Sequence, residues 1–236
     1  MSTIVERLAR VRMRIAQAAT AAGRDPASIR LLAVSKTRPT ADVEAALAAG
    51  QTAFGESYLQ DALPKIAVLG ERAEWHFIGP IQSNKTRQIA SHFAWVHSVD
   101  RLKIAQRLNE QRPAGLPPLN VCLQVNTSGE NTKAGISPAT TLTLATAVAA
   151  LPRLRLRGLM TIPAHTQDVR QQHQPFALLR RLQEQLNANG FELDTLSMGM
   201  SNDLEAAIAE GANLVRIGTA IFGPRSTHDE NPDVIE

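Results

Sequence analysis

Cysteine and aromatic side chains are scarce in this sequence, and long apolar runs are missing. One cysteine in 236 residues closes no disulfide within the chain, and Cys122 lies inside the apolar stretch 119–125. A small buried thiol in a reducing compartment is therefore expected. No run of about 18 apolar residues occurs, and residues 1–7 carry no apolar signal core. A cytoplasmic chain without membrane contact follows as the expectation. Charge of one sign is lacking too: the formal net charge is +3, and the basic residues are scattered rather than clustered with aromatics. That distribution argues against nucleic acid as a partner. The densest basic run, Arg153, Arg155 and Arg157, alternates with leucines as a strand start does when its arginines reach solvent. Six dispersed histidines, with no H-x-x-x-H pair and no cysteine cluster, give no support to a metal centre. No G-x-G-x-x-G follows a strand-like run, which speaks against an open dinucleotide-binding sheet.

What is present is regular alternation. Apolar residues Ile4, Leu8, Val11 and Ile15 recur at a helical period, and Gly23 stops an N-terminal helix expected over 1–22. Strand-like runs follow at 29–35, 52–54, 74–78, 94–99, 119–125, 154–161, 195–198 and 213–217. Helix-like stretches at 40–49, 58–69, 83–91, 101–110, 138–150, 169–188 and 203–210 lie between them. Residues 42–50 and 203–211 echo each other almost position for position, a weak sign of repeated units. The Pro-rich piece 112–118 runs straight into a strand and reads as a loop, not a linker. Strands and helices alternating over short connections make parallel βαβ units. Eight strands and seven intervening helices in 236 residues predict an α/β fold, a single (β/α)₈ TIM barrel with an extra N-terminal helix. One domain over 1–236 is expected, with a flexible tail at 227–236.

Lys36 closes the first apolar strand run, and Thr37-Arg38-Pro39 breaks the pattern behind it. The plain reading is a lysine that marks a strand end. The alternative is chemical: burial disfavours an ammonium group and leaves more of the nucleophilic amine near neutral pH, the form that condenses with a carbonyl. Barrel active sites lie at the C-terminal ends of strands, often with a phosphate site after strands seven and eight. After the seventh strand, Ser201 stands in a run of small residues before a helix; after the eighth, Gly218 and Thr219 offer backbone N–H groups and a hydroxyl. Taken singly, Ser201 reads as a helix cap and Gly218 as a tight turn. Taken with Lys36, they suit a ligand with a phosphate at one end and an aldehyde at the other. Pyridoxal 5′-phosphate carries both groups, and a lysine-dependent aldolase acting on a sugar phosphate would use the same parts.

Several segments carry a resemblance to a known family: 32–37 (LAVSKT), 54–56 (FGE), 75–85 (WHFIGPIQSNK), 157–160 (RGLM), 197–201 (SMGMS) and 216–219 (RIGT). Together they resemble the pyridoxal phosphate homeostasis proteins. The resemblance implies a monomeric barrel like the N-terminal domain of alanine racemase, with pyridoxal 5′-phosphate held as a Schiff base on Lys36. It also implies that Ser201, Gly218 and Thr219 hold the phosphate and that Arg216 faces the pyridine nitrogen, with Met160, Met200 and His76 among the cofactor contacts. One departure is visible: asparagine usually follows Phe-Gly-Glu in the family, and this chain has Ser57.

An arginine at the ring nitrogen disfavours its protonation and weakens the ring as an electron sink. Racemisation further needs two acid or base groups on opposite faces of the substrate. Tyr58 is the only tyrosine. The expectation is therefore a binder that buffers or delivers cofactor, possible recipients being apo forms of cofactor-dependent enzymes. The alternative is a racemase-like enzyme using Lys36 with Tyr58 or His76. His76 and His97 otherwise read as satisfied barrel histidines. Lys85 and Lys133 read as solvated charges, or as cations that draw the anionic cofactor toward the barrel mouth.

Overall fold

The computed structural model describes residues 2–130 and 133–224, so the tail expected at 227–236 lies outside the described residues. Eight parallel strands close on themselves in chain order. They are β1 (Arg30–Val34), β2 (Ala53–Glu56), β3 (Glu74–Phe77), β4 (Trp95–Val99), β5 (Leu119–Gln124), β6 (Leu154–Met160), β7 (Thr195–Ser197) and β8 (Leu214–Ile217). Outside them run α1 (Ile4–Ala21), α2 (Thr40–Ala48), α3 (Leu59–Leu69), α4 (Thr86–His92), α5 (Leu102–Gln111), α6 (Thr141–Ala149), α7 (Val169–Ala188), α8 (Leu204–Ala209) and α9 (Thr219–Phe222). The expected TIM barrel with its extra N-terminal helix is what the chain forms.

Within the barrel, three boundaries differ from the sequence reading by more than one residue. β2 extends through Gly55 and Glu56, because the Glu56 side chain is buried and not a loop charge. α4 and α6 start three residues later than expected; 138–140 is a single tighter turn ahead of α6. The short α9, absent from the sequence reading, follows β8 directly and is below the length at which hydrophobic periodicity can register.

The pleat sends alternate strand residues to opposite faces. Outward residues such as Ala33, Phe54, Trp75, Val96, Leu123 and Val215 join the helices in one continuous buried cluster. Inward residues form two small apolar groups, Leu32 with Ala53 and Leu214, and Trp95 with Cys122 and Met160. β6 bends past its neighbour at Gly158, where a Cβ would lie 1.8 Å from the Thr195 carbonyl oxygen. Only glycine lets the two backbones approach so closely.

α1 is more than an appendage. Thr3 and Glu6 form a reciprocal capping box at its start, and Leu8, Val11 and Ile15 bury its inner stripe. From its outer side the Arg14 guanidinium grips Glu205 at 2.6 and 2.7 Å and donates to the Ser201 carbonyl at 2.7 Å. The helix thus braces the turn after β7.

Candidate functional site

The chain leaving β1 is clamped from behind. Ser35 is fully buried, and its hydroxyl donates to Glu56 Oε1 at 2.6 Å. Lys65 reaches in from α3 and donates to the same oxygen and to the Ser35 carbonyl, each at 2.8 Å. Burial pushes the Glu56 carboxyl up from its ordinary value, opposed by Lys65 and the Ser35 hydroxyl. The carboxylate, its ammonium partner and the strand end therefore form one unit directly before Lys36. Lys36 itself is half-buried at the C-terminal rim of the barrel. Thr37 follows with φ at 62°, a left-handed conformation that is strained for a β-branched residue. Its backbone N–H donates to Asp61 at 3.3 Å.

On the neighbouring strand, Arg216 is 4% exposed and points into the barrel. Its guanidinium donates to the Ser197 carbonyl at 2.5 Å, to Ser197 Oγ at 2.8 Å and to the Thr161 carbonyl at 2.8 Å. Burial lowers its pKa to about 10, so it remains a cation at neutral pH. Gly218 follows, and a Cβ there would come within 3.1 Å of the Val34 carbonyl oxygen, so this turn lies against the strand end that leads to Lys36. Thr219 then opens α9. After β7 the chain turns through Gly199, whose φ of 95° suits glycine and whose carbonyl accepts from the Arg216 N–H at 2.9 Å. Asp203 Oδ1 accepts from the Met200 N–H at 2.5 Å and closes the turn that carries Ser201.

Lys36, Arg216, Gly218, Thr219, Ser201 and Met200 thus come from the ends of three strands adjacent in the closed sheet, β7, β8 and β1. Met160 ends β6 in register with Ser197, fully buried against Trp95 and Cys122. His76 lies deeper, with no exposure, and both ring nitrogens are engaged: Nδ1 with His97 at 2.9 Å and Nε2 with Glu74 at 2.6 Å. Tyr58 is 51% exposed just before α3, and Lys133 faces Glu130 across 3.7 Å. Lys85 precedes α4 at a half-buried position.

The donor set at the rim is an amine, two hydroxyls, backbone N–H groups and a buried cation. It fits an anionic carbonyl compound, and the carboxylate Glu56 is held by Lys65 behind the rim. The sequence reading missed Lys65, Glu56, Thr161, Ser197 and His97 as parts of the arrangement. Lys65 had a visible signal: it interrupts the buried stripe of α3 formed by Leu59, Ala62 and Leu69. Among the described residues, no cluster of three metal-ligating side chains occurs, and no helix is long and apolar enough to cross a membrane.

Comparison with known proteins gives a consistent picture. The family model of the alanine racemase N-terminal domain matches residues 7–226. The pyridoxal phosphate homeostasis protein of Pseudomonas aeruginosa is 66% identical over 226 residues, covering 95% of this chain and 97% of the relative. Its counterpart in Escherichia coli K12 is 53% identical over 229 residues, covering 95% and 98%. PipY of Synechococcus elongatus, solved with PLP bound, superposes with a TM-score of 0.81 at 36% identity, covering 94% of this chain and all of that one.

Proposed function

The chain belongs to the pyridoxal phosphate homeostasis proteins, a family built on the alanine racemase N-terminal domain, and on that premise we propose that it binds pyridoxal 5′-phosphate covalently through Lys36 and buffers or delivers it. The observation that carries the reading is the meeting of three strand ends at one rim. Lys36 leaves β1 where the Gly218 turn of β8 packs against Val34, and Ser201 stands in the turn after β7. The cofactor supplies an aldehyde able to condense with an amine, together with a phosphate. Ser201, Gly218 and Thr219 bind the phosphate, with Met200 alongside. Arg216 presents a locked cation toward the ring nitrogen and keeps a proton off it. Met160, level with Ser197 in the sheet, and the stacked pair His76 and Trp95 close the interior against water.

A carrier, rather than a racemase, agrees with the available acids and bases. His76 spends both nitrogens on protein partners, and Tyr58 is half exposed at the start of α3. In this reading the protein acts as a cytoplasmic monomer, and apo forms of cofactor-dependent enzymes receive its cargo.

Borohydride reduction of the loaded protein followed by peptide mapping is expected to mark the Lys36 peptide alone. Lys36→Ala is expected to lose both the mark and the visible absorbance; a mark elsewhere, or unchanged absorbance, overturns the covalent assignment. Amino-acid α-hydrogen exchange in deuterated water is expected to stay at the level of the free cofactor. Sustained exchange above that level would move the protein to the enzymes.

A further inference from the structure

Hydrogen bonds run in series across the barrel interior, from the rim to the N-terminal ends of the strands. Arg216 Nη1 meets Ser197 Oγ at 2.8 Å, Ser197 Oγ meets His97 Nδ1 at 2.8 Å, His97 Nε2 meets His76 Nδ1 at 2.9 Å, and His76 Nε2 meets Glu74 Oε1 at 2.6 Å. Arg30 closes the far end with a 2.7 Å contact to the same Glu74 oxygen. His76 and His97 are fully buried, whereas the Glu74 and Arg30 side chains are 36% and 40% exposed. The series therefore joins the buried guanidinium of the site to the opposite face of the molecule.

The protons along it have one consistent order. A guanidinium only donates, and an ionised carboxylate only accepts. Burial opposes ionisation of Glu74, but the hydrogen bond of His76 and the charge of Arg30 outweigh it and hold the carboxyl below its ordinary range. Burial holds both histidines below their ordinary value, so each ring carries a single proton at neutral pH. From the carboxylate end, His76 must then carry its proton on Nε2 and accept on Nδ1. His97 must likewise donate from Nε2 and accept on Nδ1 from the Ser197 hydroxyl. From the other end, Ser197 accepts from Arg216, leaving its own proton for His97. The two ends agree.

We propose that His97, His76 and Glu74 are positioning residues for Arg216, forming a one-way relay that links the rim cation to a counter-charge at the opposite face. The three oxygens that hold the guanidinium directly are uncharged. Glu74 is the carboxylate reached through the series; Asp203, near the rim, is the carboxylate whose charge acts on Arg216 directly, and burial pushes the Cys122 thiol up to about 12, so that it stays neutral. Each bond of such a series polarises the next in a low dielectric. The relay holds Nη1–H of Arg216 on Ser197 and so fixes the plane of the guanidinium. The consequence for a ligand rests on the reading that Arg216 faces the cofactor ring; the relay itself does not.

The test uses the full chain labelled with ¹⁵N-histidine and ¹⁵N-arginine, first without cofactor. Long-range ¹H–¹⁵N spectra are expected to show both buried rings neutral and protonated on Nε2. Glu74→Gln removes the charge at a half-buried position while keeping an acceptor, and is expected to shift the His76 and His97 nitrogens and the Arg216 Nη resonances. In the loaded protein it is expected to move the pH midpoint of the visible absorbance by on the order of a few tenths of a unit. Ser197→Ala, which cuts the link next to Arg216, is expected to abolish that response to Glu74→Gln. Either ring protonated on Nδ1 overturns the order. A Glu74→Gln variant that leaves the Arg216 resonances unmoved, or that lowers thermal stability with no change at His97, overturns the positioning role. Absence of a covalent mark on Lys36 would sink the cofactor reading and leave the apo spectra to decide the relay on their own.

Discussion

The two faces of the same eight strands are built to different ends. The outward face is continuous: Phe54, Trp75, Val96, Leu123 and Val215 merge with the helices into a single apolar layer. The inward face is divided, with one small apolar group at β1, β2 and β8, another at β4, β5 and β6, and the series from Arg216 to Glu74 between them. Barrel interiors of this fold are ordinarily filled by layers of branched aliphatic side chains. Here much of that space holds polar groups, whose burial is tolerable because each finds a partner. Stability should therefore be concentrated outside the barrel and specificity inside it.

The strongest way to break that division is Phe54→Ala. Phe54 is fully buried on the outward face and packs against Trp75 with ring centroids 5.8 Å apart. Truncation at such a site costs about 3–5 kcal/mol. Urea denaturation is expected to show that loss, while the folded fraction keeps its affinity for pyridoxal 5′-phosphate. A variant of near-native stability with lost affinity would mean that the outward face tunes the site.

Lys65→Met sits where the two faces meet. Removing one partner of a buried ion pair costs about 3 kcal/mol or more, since the other charge is left uncompensated, and Lys65 and Glu56 are both almost wholly buried. The loss should depend on pH. Burial already raises the Glu56 carboxyl above its unfolded value, so the folded state takes up its proton first. The contribution of such a group to stability is fully present below the unfolded carboxyl pKa and is lost as pH rises through the folded one. Without Lys65 the folded value rises further, so the deficit of the variant should shrink in acid and be largest at neutral pH and above. Chemical denaturation across that range checks it; a deficit independent of pH would show that Glu56 does not carry the uncompensated charge.

The same contrast explains what could be read in advance. Outward residues repeat with the period of their element, and that repetition placed eight strands and the main helices within a few positions. The strand-end placement of Lys36, Ser201, Gly218 and Thr219 was legible because the apolar runs of the strands stop just before them. Inward polar residues carry no period. His76 and His97 stood in strand runs as two ordinary histidines, and their partnership with Ser197, a hundred positions from His97, exists only once the sheet closes. Lys65 lies unremarked in the helix-like stretch 58–69, although its place in the stripe of Leu59, Ala62 and Leu69 requires burial and hence a counter-charge.

The mildest test is Arg157→Lys, at the edge where the inner face meets solvent. The Arg157 guanidinium lies 4.8 Å from the centre of the Trp95 ring, and its nitrogens donate to Asp194 at 2.6, 2.9 and 3.1 Å. Trp95 also stacks on His76, with ring planes 2° from parallel and centroids 5.4 Å apart. Lysine keeps the charge and loses the planar fork that makes both contacts at once. A cation over an aromatic ring near the surface is worth about 0.5–1 kcal/mol, so the expected loss in urea denaturation is about 1 kcal/mol, with a change in tryptophan fluorescence. The His76 tautomer should not change, because the relay passes through ring nitrogens and the stack acts on ring faces. A fall in stability as large as that of Phe54→Ala would place a main support of the fold inside the barrel and end the distinction between the two faces.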